Sequence, residues 1–103
     1  MYKVLIIEDE ILFRKALNKI IESMEEYMVI GQLENGEGAL EFCEKEKPDF
    51  VCVDIVMPGE NGLDVGKRIK EKYPSTVIFI LSACNHFQMV QTQIDQLTKV
   101  QND

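Results

Sequence analysis

Phe50-Val51-Cys52-Val53-Asp54-Ile55-Val56-Met57-Pro58-Gly59-Glu60-Asn61-Gly62 is the stretch whose reading decides the fold. Its first four residues are apolar and rich in β-branching, too short a run for a helix and suited to a strand buried on both faces, as the middle of a parallel sheet requires. The run then meets a carboxylate, Asp54. Pro58, which fixes φ and lacks an N–H, together with Gly59 and Asn61-Gly62, supplies turn chemistry, so the strand ends near Asp54. An acidic side chain therefore stands at the carboxyl end of a central strand, where open α/β sheets bind their ligands.

Working outward, Val4-Leu5-Ile6-Ile7 is a second all-apolar run, and it too ends in acid, Glu8-Asp9-Glu10. From Ile11 the period changes. Ile11, Leu12, Ala16, Leu17, Ile20, Ile21 and Met24 recur at spacings of three and four, with Arg14, Lys15, Asn18 and Lys19 between them on what reads as the polar face of an amphipathic helix. Residues 27–33, around Val29-Ile30, read as a shorter strand. Asn35-Gly36 turns the chain into a helix carrying Ala39, Leu40, Phe42 and Cys43, closed by Lys45, Lys47 and Pro48. Asn61 can cap a helix holding Leu63, Val65, Ile69 and Tyr73, which stops at Pro74. Residues 76–81 form a fourth strand ending at Ser82, and Phe87, Val90, Ile94 and Leu97 place a last helix over about 86–100. Strands alternating with helices, joined by connections too long for hairpins, predict a βαβαβαβα chain with a parallel sheet.

Composition narrows the function. With 103 residues, 46% of them hydrophobic and 28% charged, the chain has room for one folded domain. A formal charge of −7 argues against a nucleic-acid surface, which needs a basic face, and suits a divalent cation or a basic protein partner better. No apolar run approaches the roughly 20 residues of a membrane span, and the amino-terminal stretch does not read as a signal peptide. Cys43, Cys52 and Cys84 are too scattered for zinc-type pairs and read as reduced core residues of a cytoplasmic protein. His86 needs no special role.

Right-handed crossovers put the carboxyl ends of parallel strands on one edge, so Glu8, Asp9, Asp54 and Ser82 meet there if the first and third strands are neighbours. Carboxylates crowded together repel one another unless a cation is present. Mg2+ suits such a set, with open positions left for water or phosphate.

These features resemble the receiver domain of two-component response regulators: the acid pair after the first strand, Asp54 in Val53-Asp54-Ile55-Val56-Met57-Pro58 with Gly62 downstream, and Leu81-Ser82-Ala83 after the fourth strand. The resemblance implies a flavodoxin-like doubly wound parallel sheet, here a truncated (βα)4 form with strand order 2-1-3-4. It treats residues 1–103 as a single receiver domain, family-like to about residue 87, with an atypical helix at 88–103. It implies that Asp54 is the phosphoacceptor, taking a phosphoryl group from a sensor histidine kinase. Mg2+ would be held by Glu8, Asp9, Asp54 and the backbone carbonyl of Val56, with Glu8 acting through bound water, and Ser82 would hydrogen-bond a phosphoryl oxygen. The protein would then be a cytoplasmic phosphoprotein of signal transduction, and of transcription regulation in many relatives. It would catalyse only its own phosphotransfer and autodephosphorylation, with no direct binding to nucleic acid or membrane.

The family's fifth strand, with its aromatic switch residue and Lys-Pro pair, does not appear in these residues, and Lys99, which reads as part of a continuing helix, is a poor substitute for that Lys. An apolar edge at 76–81 is then expected to be covered by a second copy of the chain or by the helix at 86–100, unless these residues are a fragment of a longer regulator. The alternative is a degenerate receiver that acts as a phosphorylation-independent interaction or dimerisation module. A metal-dependent phosphohydrolase ranks last, because the general-acid Asp it wants two residues after Asp54 is here Val56.

Overall fold

The computed structural model describes residues 1–81. Ser82, Cys84, His86, Lys99 and the helix expected at 86–100 lie outside the described residues. The elements run β1 (Tyr2–Ile7), α1 (Ile11–Glu22), β2 (Tyr27–Leu33), α2 (Ala39–Glu46), β3 (Phe50–Asp54), β4 (Val56–Met57), β5 (Glu60–Asn61), α3 (Gly62–Lys72) and β6 (Val77–Leu81). The four long strands form one parallel sheet in the order β2-β1-β3-β6, the expected order with β6 as the fourth long strand.

The two all-apolar runs are explained by the layers. Val4 and Ile6 of β1 and Cys52 of β3 pack with Leu17 and Ile21 of α1 on one face. Leu5 and Ile7, with Val51 and Val53, pack with Ala39, Cys43, Val65 and Ile69 of α2 and α3 on the other. Side chains alternate across a strand, so a strand covered on both sides has no polar position to spare. This is the doubly wound arrangement.

Local chemistry sets the helix ends. Asn35 Oδ1 accepts from the Glu37 N–H at 2.8 Å, making the turn ahead of α2. Asn61 Oδ1 accepts from the Leu63 N–H at 2.8 Å and caps α3. At the end of α2, Lys47 takes a left-handed conformation with φ 48°, a place glycine or asparagine usually fills.

Two features differ from expectation. Residues 27–33 do not make a short strand: β2 has seven residues, the most of any described strand. Its pairing with β1 shifts register between Val4↔Val29 and Leu5↔Gly31, so Ile30 is an extra residue that lengthens β2 without ending the ladder. The stretch after Asp54 is more than a turn. Val56-Met57 pairs antiparallel with Glu60-Asn61, joined through Pro58 and Gly59, whose φ of 79° is the left-handed value that a proline-glycine turn requires.

β6 pairs with β3 along its whole length, from Phe50↔Val77 to Asp54↔Leu81. Among the described residues its other side is an edge of the sheet, and Val77 and Phe79 are each 41% exposed. Cys43 and Cys52 are free and buried, as expected. Among the described residues no helix is long and apolar enough to cross a membrane.

Candidate metal centre

Register brings the acids together. β1 and β3 pair in parallel up to Ile7↔Val53, so Glu8 and Asp54 are the next residues in step. Both share the parity of Ile6 and Cys52, which face α1, and their side chains therefore project on the same side of the sheet. Asp9 follows in the turn to α1 and is exposed. One carboxylate oxygen from each of Glu8, Asp9 and Asp54 lies within 4.8 Å of the others.

The electrostatics of this trio are costly. Glu8 is 0% and Asp54 1% exposed. Glu8 Oε1 accepts from the Glu10 N–H at 3.2 Å, its buried Oε2 meets no donor group, and its carboxyl interacts with that of Asp54. Burial first, and the Asp54 charge second, push the Glu8 carboxyl up from 4.5 to about 8. Asp54 Oδ1 accepts from the Val56 N–H at 3.2 Å, which orients the carboxylate.

This arrangement fits a hard divalent cation. All three ligand atoms are oxygens, the buried Glu8 Oε2 meets no donor group, and a cation would offset both the burial and the repulsion that raise the Glu8 carboxyl. Glu8, Asp9 and Asp54 are the residues that would hold Mg2+, whose metal–oxygen distances of about 2.0–2.1 Å require their oxygens to draw in from the present spread of up to 4.8 Å.

The walls are built from backbone. The Ile55 N–H donates to the Leu81 oxygen at 2.8 Å, and the Gly62 N–H to the Ile55 oxygen at 2.7 Å. A Cβ on Gly62 would stand 1.8 Å from the carbonyl oxygen of Asp54, so only glycine lets α3 begin this close to the end of β3. The spacing between Asp54 and Gly62 thus has a steric cause.

Of the sequence-predicted residues, Glu8, Asp9 and Asp54 are brought together. Val56 follows in β4 and is 60% exposed, and its N–H is the group that meets Asp54. Ser82 lies outside the described residues.

Sequence reasoning missed two residues. Arg14, read as part of a solvated helix face, donates from Nη1 to the Glu8 carbonyl oxygen at 2.8 Å. Glu60 accepts from the Gly36 N–H and ties the hairpin to the start of α2. An arginine six residues after the acid was the only signal for the first, and the second had none. A cavity of about 290 Å3 lies between α2 and α3, lined by Gly36, Glu60, Arg68 and Ile69 among others, and includes none of the three acids.

Residues 4–98 match the family described as the response regulator receiver domain. The transcriptional regulatory protein YdfI of Bacillus subtilis is 34% identical over 91 residues, covering 88% of this chain and 43% of that protein. A protein-glutamate methylesterase/protein-glutamine glutaminase of Pyrococcus horikoshii is 42% identical over 78 residues, covering 76% of this chain and 21% of that one. The chain therefore spans less than half the length of these relatives. Among solved structures, the response regulator domain of Thermotoga maritima CheB superposes with a TM-score of 0.73 at 32% identity, covering 82% of this chain and 63% of that one. The parallel sheet, the acids at its carboxyl edge and these likenesses agree, and the chain belongs to the response regulator receiver domain family.

Proposed function

We propose that Asp54 is the phosphoacceptor of this receiver and that it takes a phosphoryl group from a phosphohistidine of a sensor histidine kinase. The observation that carries the reading is the placement of Asp54: on the strand paired with both β1 and β6, buried, and with a carboxylate oxygen within 4.8 Å of oxygens from Glu8 and Asp9.

An Asp54 carboxylate oxygen forms the new O–P bond as the N–P bond of the donor breaks, and the electron pair stays on the imidazole nitrogen. The transition state needs positioning and charge neutralisation more than covalent help. The Val56 N–H orients the attacking carboxylate, and the packed ends of β1 and β3 hold it beside Glu8 and Asp9. Mg2+ held by Glu8, Asp9, Asp54 and the Val56 carbonyl would neutralise the carboxylates and the incoming phosphoryl oxygens. Ser82 would donate a hydrogen bond to a phosphoryl oxygen. The reading makes the chain a cytoplasmic signalling module whose only chemistry is on itself, with a second copy along the edge of β6 or on the segment 86–100 as a further partner.

Incubation with Mg2+ and acetyl phosphate followed by intact-mass measurement tests it. A single labile phosphoryl adduct, absent from Asp54→Asn, is expected. No adduct refutes the reading, and steady phosphate release over many turnovers replaces it with a phosphohydrolase.

A further inference from the structure

We infer that Arg14 is a positioning residue of the metal centre, holding the Glu8–Asp9 peptide so that both carboxylates point at the ion. The inference rests on reading Glu8, Asp9 and Asp54 as a Mg2+ site. It adds a residue that does not itself touch the metal.

The need for such a residue follows from where the sheet stops. The ladder between β1 and β3 ends at Ile7↔Val53. Glu8 still donates its N–H to the Leu33 oxygen at 2.9 Å, but its carbonyl lies past the last paired residue of β1, in a residue that is 0% exposed. Buried backbone carbonyls require a partner. Arg14, one turn into α1, supplies it from Nη1 at 2.8 Å.

The consequence is geometric. The Glu8 N–H is tied to β2, the Glu8 oxygen to α1, and Glu8 Oε1 to the Glu10 N–H at 3.2 Å. With its N–H and its carbonyl both tied, Glu8 has a fixed Cα–Cβ direction, and the fixed peptide plane narrows the range open to Asp9. Without the guanidinium the peptide can rotate, and the two ligands it carries lose their common aim. Groups that orient ligands without touching the metal typically hold 10–100-fold of its affinity. The bond is made to a backbone oxygen and not to the carboxylates, and loss of the positive charge would by itself favour a cation, so weaker Mg2+ binding in a neutral variant reports the lost hydrogen bond.

Lys70 provides the control. Its Nζ donates to the Thr76 carbonyl oxygen at 2.8 Å, a clamp of the same kind just before β6, at the end of the sheet opposite the acids.

The test is calorimetric titration of the metal-free chain with MgCl2, for the unaltered protein, Arg14→Met, Arg14→Ala, Arg14→Lys and Lys70→Met, each checked for folding by circular dichroism. Arg14→Met should weaken Mg2+ binding by about 10–100-fold. Arg14→Lys, which keeps a donor, should recover most of the loss, and Lys70→Met should bind as the unaltered chain does. If Arg14→Met fails to fold, Arg14→Ala carries the same comparison. Affinity within about threefold of the unaltered chain in Arg14→Met or Arg14→Ala overturns the inference, as does an equal loss in Lys70→Met or no saturable Mg2+ binding at all. Mg2+ binding without a phosphoryl adduct from acetyl phosphate would sink the phosphoacceptor reading and leave this one standing.

Discussion

Glu8→Gln should stabilise the metal-free protein, and the gain should grow with pH. The Glu8 carboxyl is 0% exposed, and burial, with the Asp54 charge second, raises it from 4.5 to about 8. Below pH 4.5 the group is protonated in the folded and unfolded chains alike and contributes nothing. Between 4.5 and about 8 the unfolded chain releases the proton that the folded chain keeps. Rising pH therefore favours unfolding, and the loss levels off above about 8. At about 1.4 kcal/mol per pH unit, this interval caps the penalty at roughly 5 kcal/mol. The glutamine keeps the acceptor for the Glu10 N–H but brings an amide that must find its own partner, an offset of about 1 kcal/mol. A net gain of about 2–4 kcal/mol near pH 8 is expected, turning into a loss of up to about 1 kcal/mol near pH 4.5, where only the amide offset is left. Urea unfolding followed by circular dichroism in a chelator, for both chains across this range, measures it. Adding Mg2+ should then close the gap by stabilising the unaltered chain more, by about 2.7 kcal/mol at a hundredfold excess over Kd. Two parallel pH curves, or an unaltered chain more stable than Glu8→Gln near pH 8 without metal, would refute the reasoning.

Gly62→Ala places a Cβ 1.8 Å from the Asp54 carbonyl oxygen, and since backbone must move to admit it, a loss of about 3 kcal/mol or more is expected from denaturant midpoints. The same variant should weaken Mg2+ binding, because the displaced atom belongs to Asp54, one of the three clustered acids; unchanged midpoint and affinity would contradict this account of the turn. Asn61→Ala removes the cap on the Leu63 N–H and should cost about 1 kcal/mol, seen as a fall of roughly 4–8 °C in Tm. Burial pushes the Cys43 thiol up and that of Cys52 to about 12, so peptide mapping after iodoacetamide at neutral pH should find both unmodified in the folded chain and modified in urea.

Electrostatic cost and function meet in one place here. A stability-minded sheet would not end two neighbouring strands in buried acids, and the fold tolerates it because hydrophobic faces on both sides of β1 and β3 hold the strands in register regardless. Sites that break a local rule of this kind are where ligands are expected.

What the chain determined by itself was local. The runs at 4–7 and 50–53 had to be strands buried on both faces, Asn61 had to cap and Pro58-Gly59 had to turn, because these follow from side-chain periodicity and from φ preferences carried by single residues. The acids at the strand ends were legible for the same reason. What only tertiary structure decided was distance. Parallel strands could put Glu8 and Asp54 on one edge, but the Ile7↔Val53 pairing is what sets them side by side. The bulge that lengthens β2 exists only against β1. Arg14 shows the limit most plainly: a helical period says which way a side chain faces, and says nothing of the carbonyl that a neighbouring strand has left waiting there.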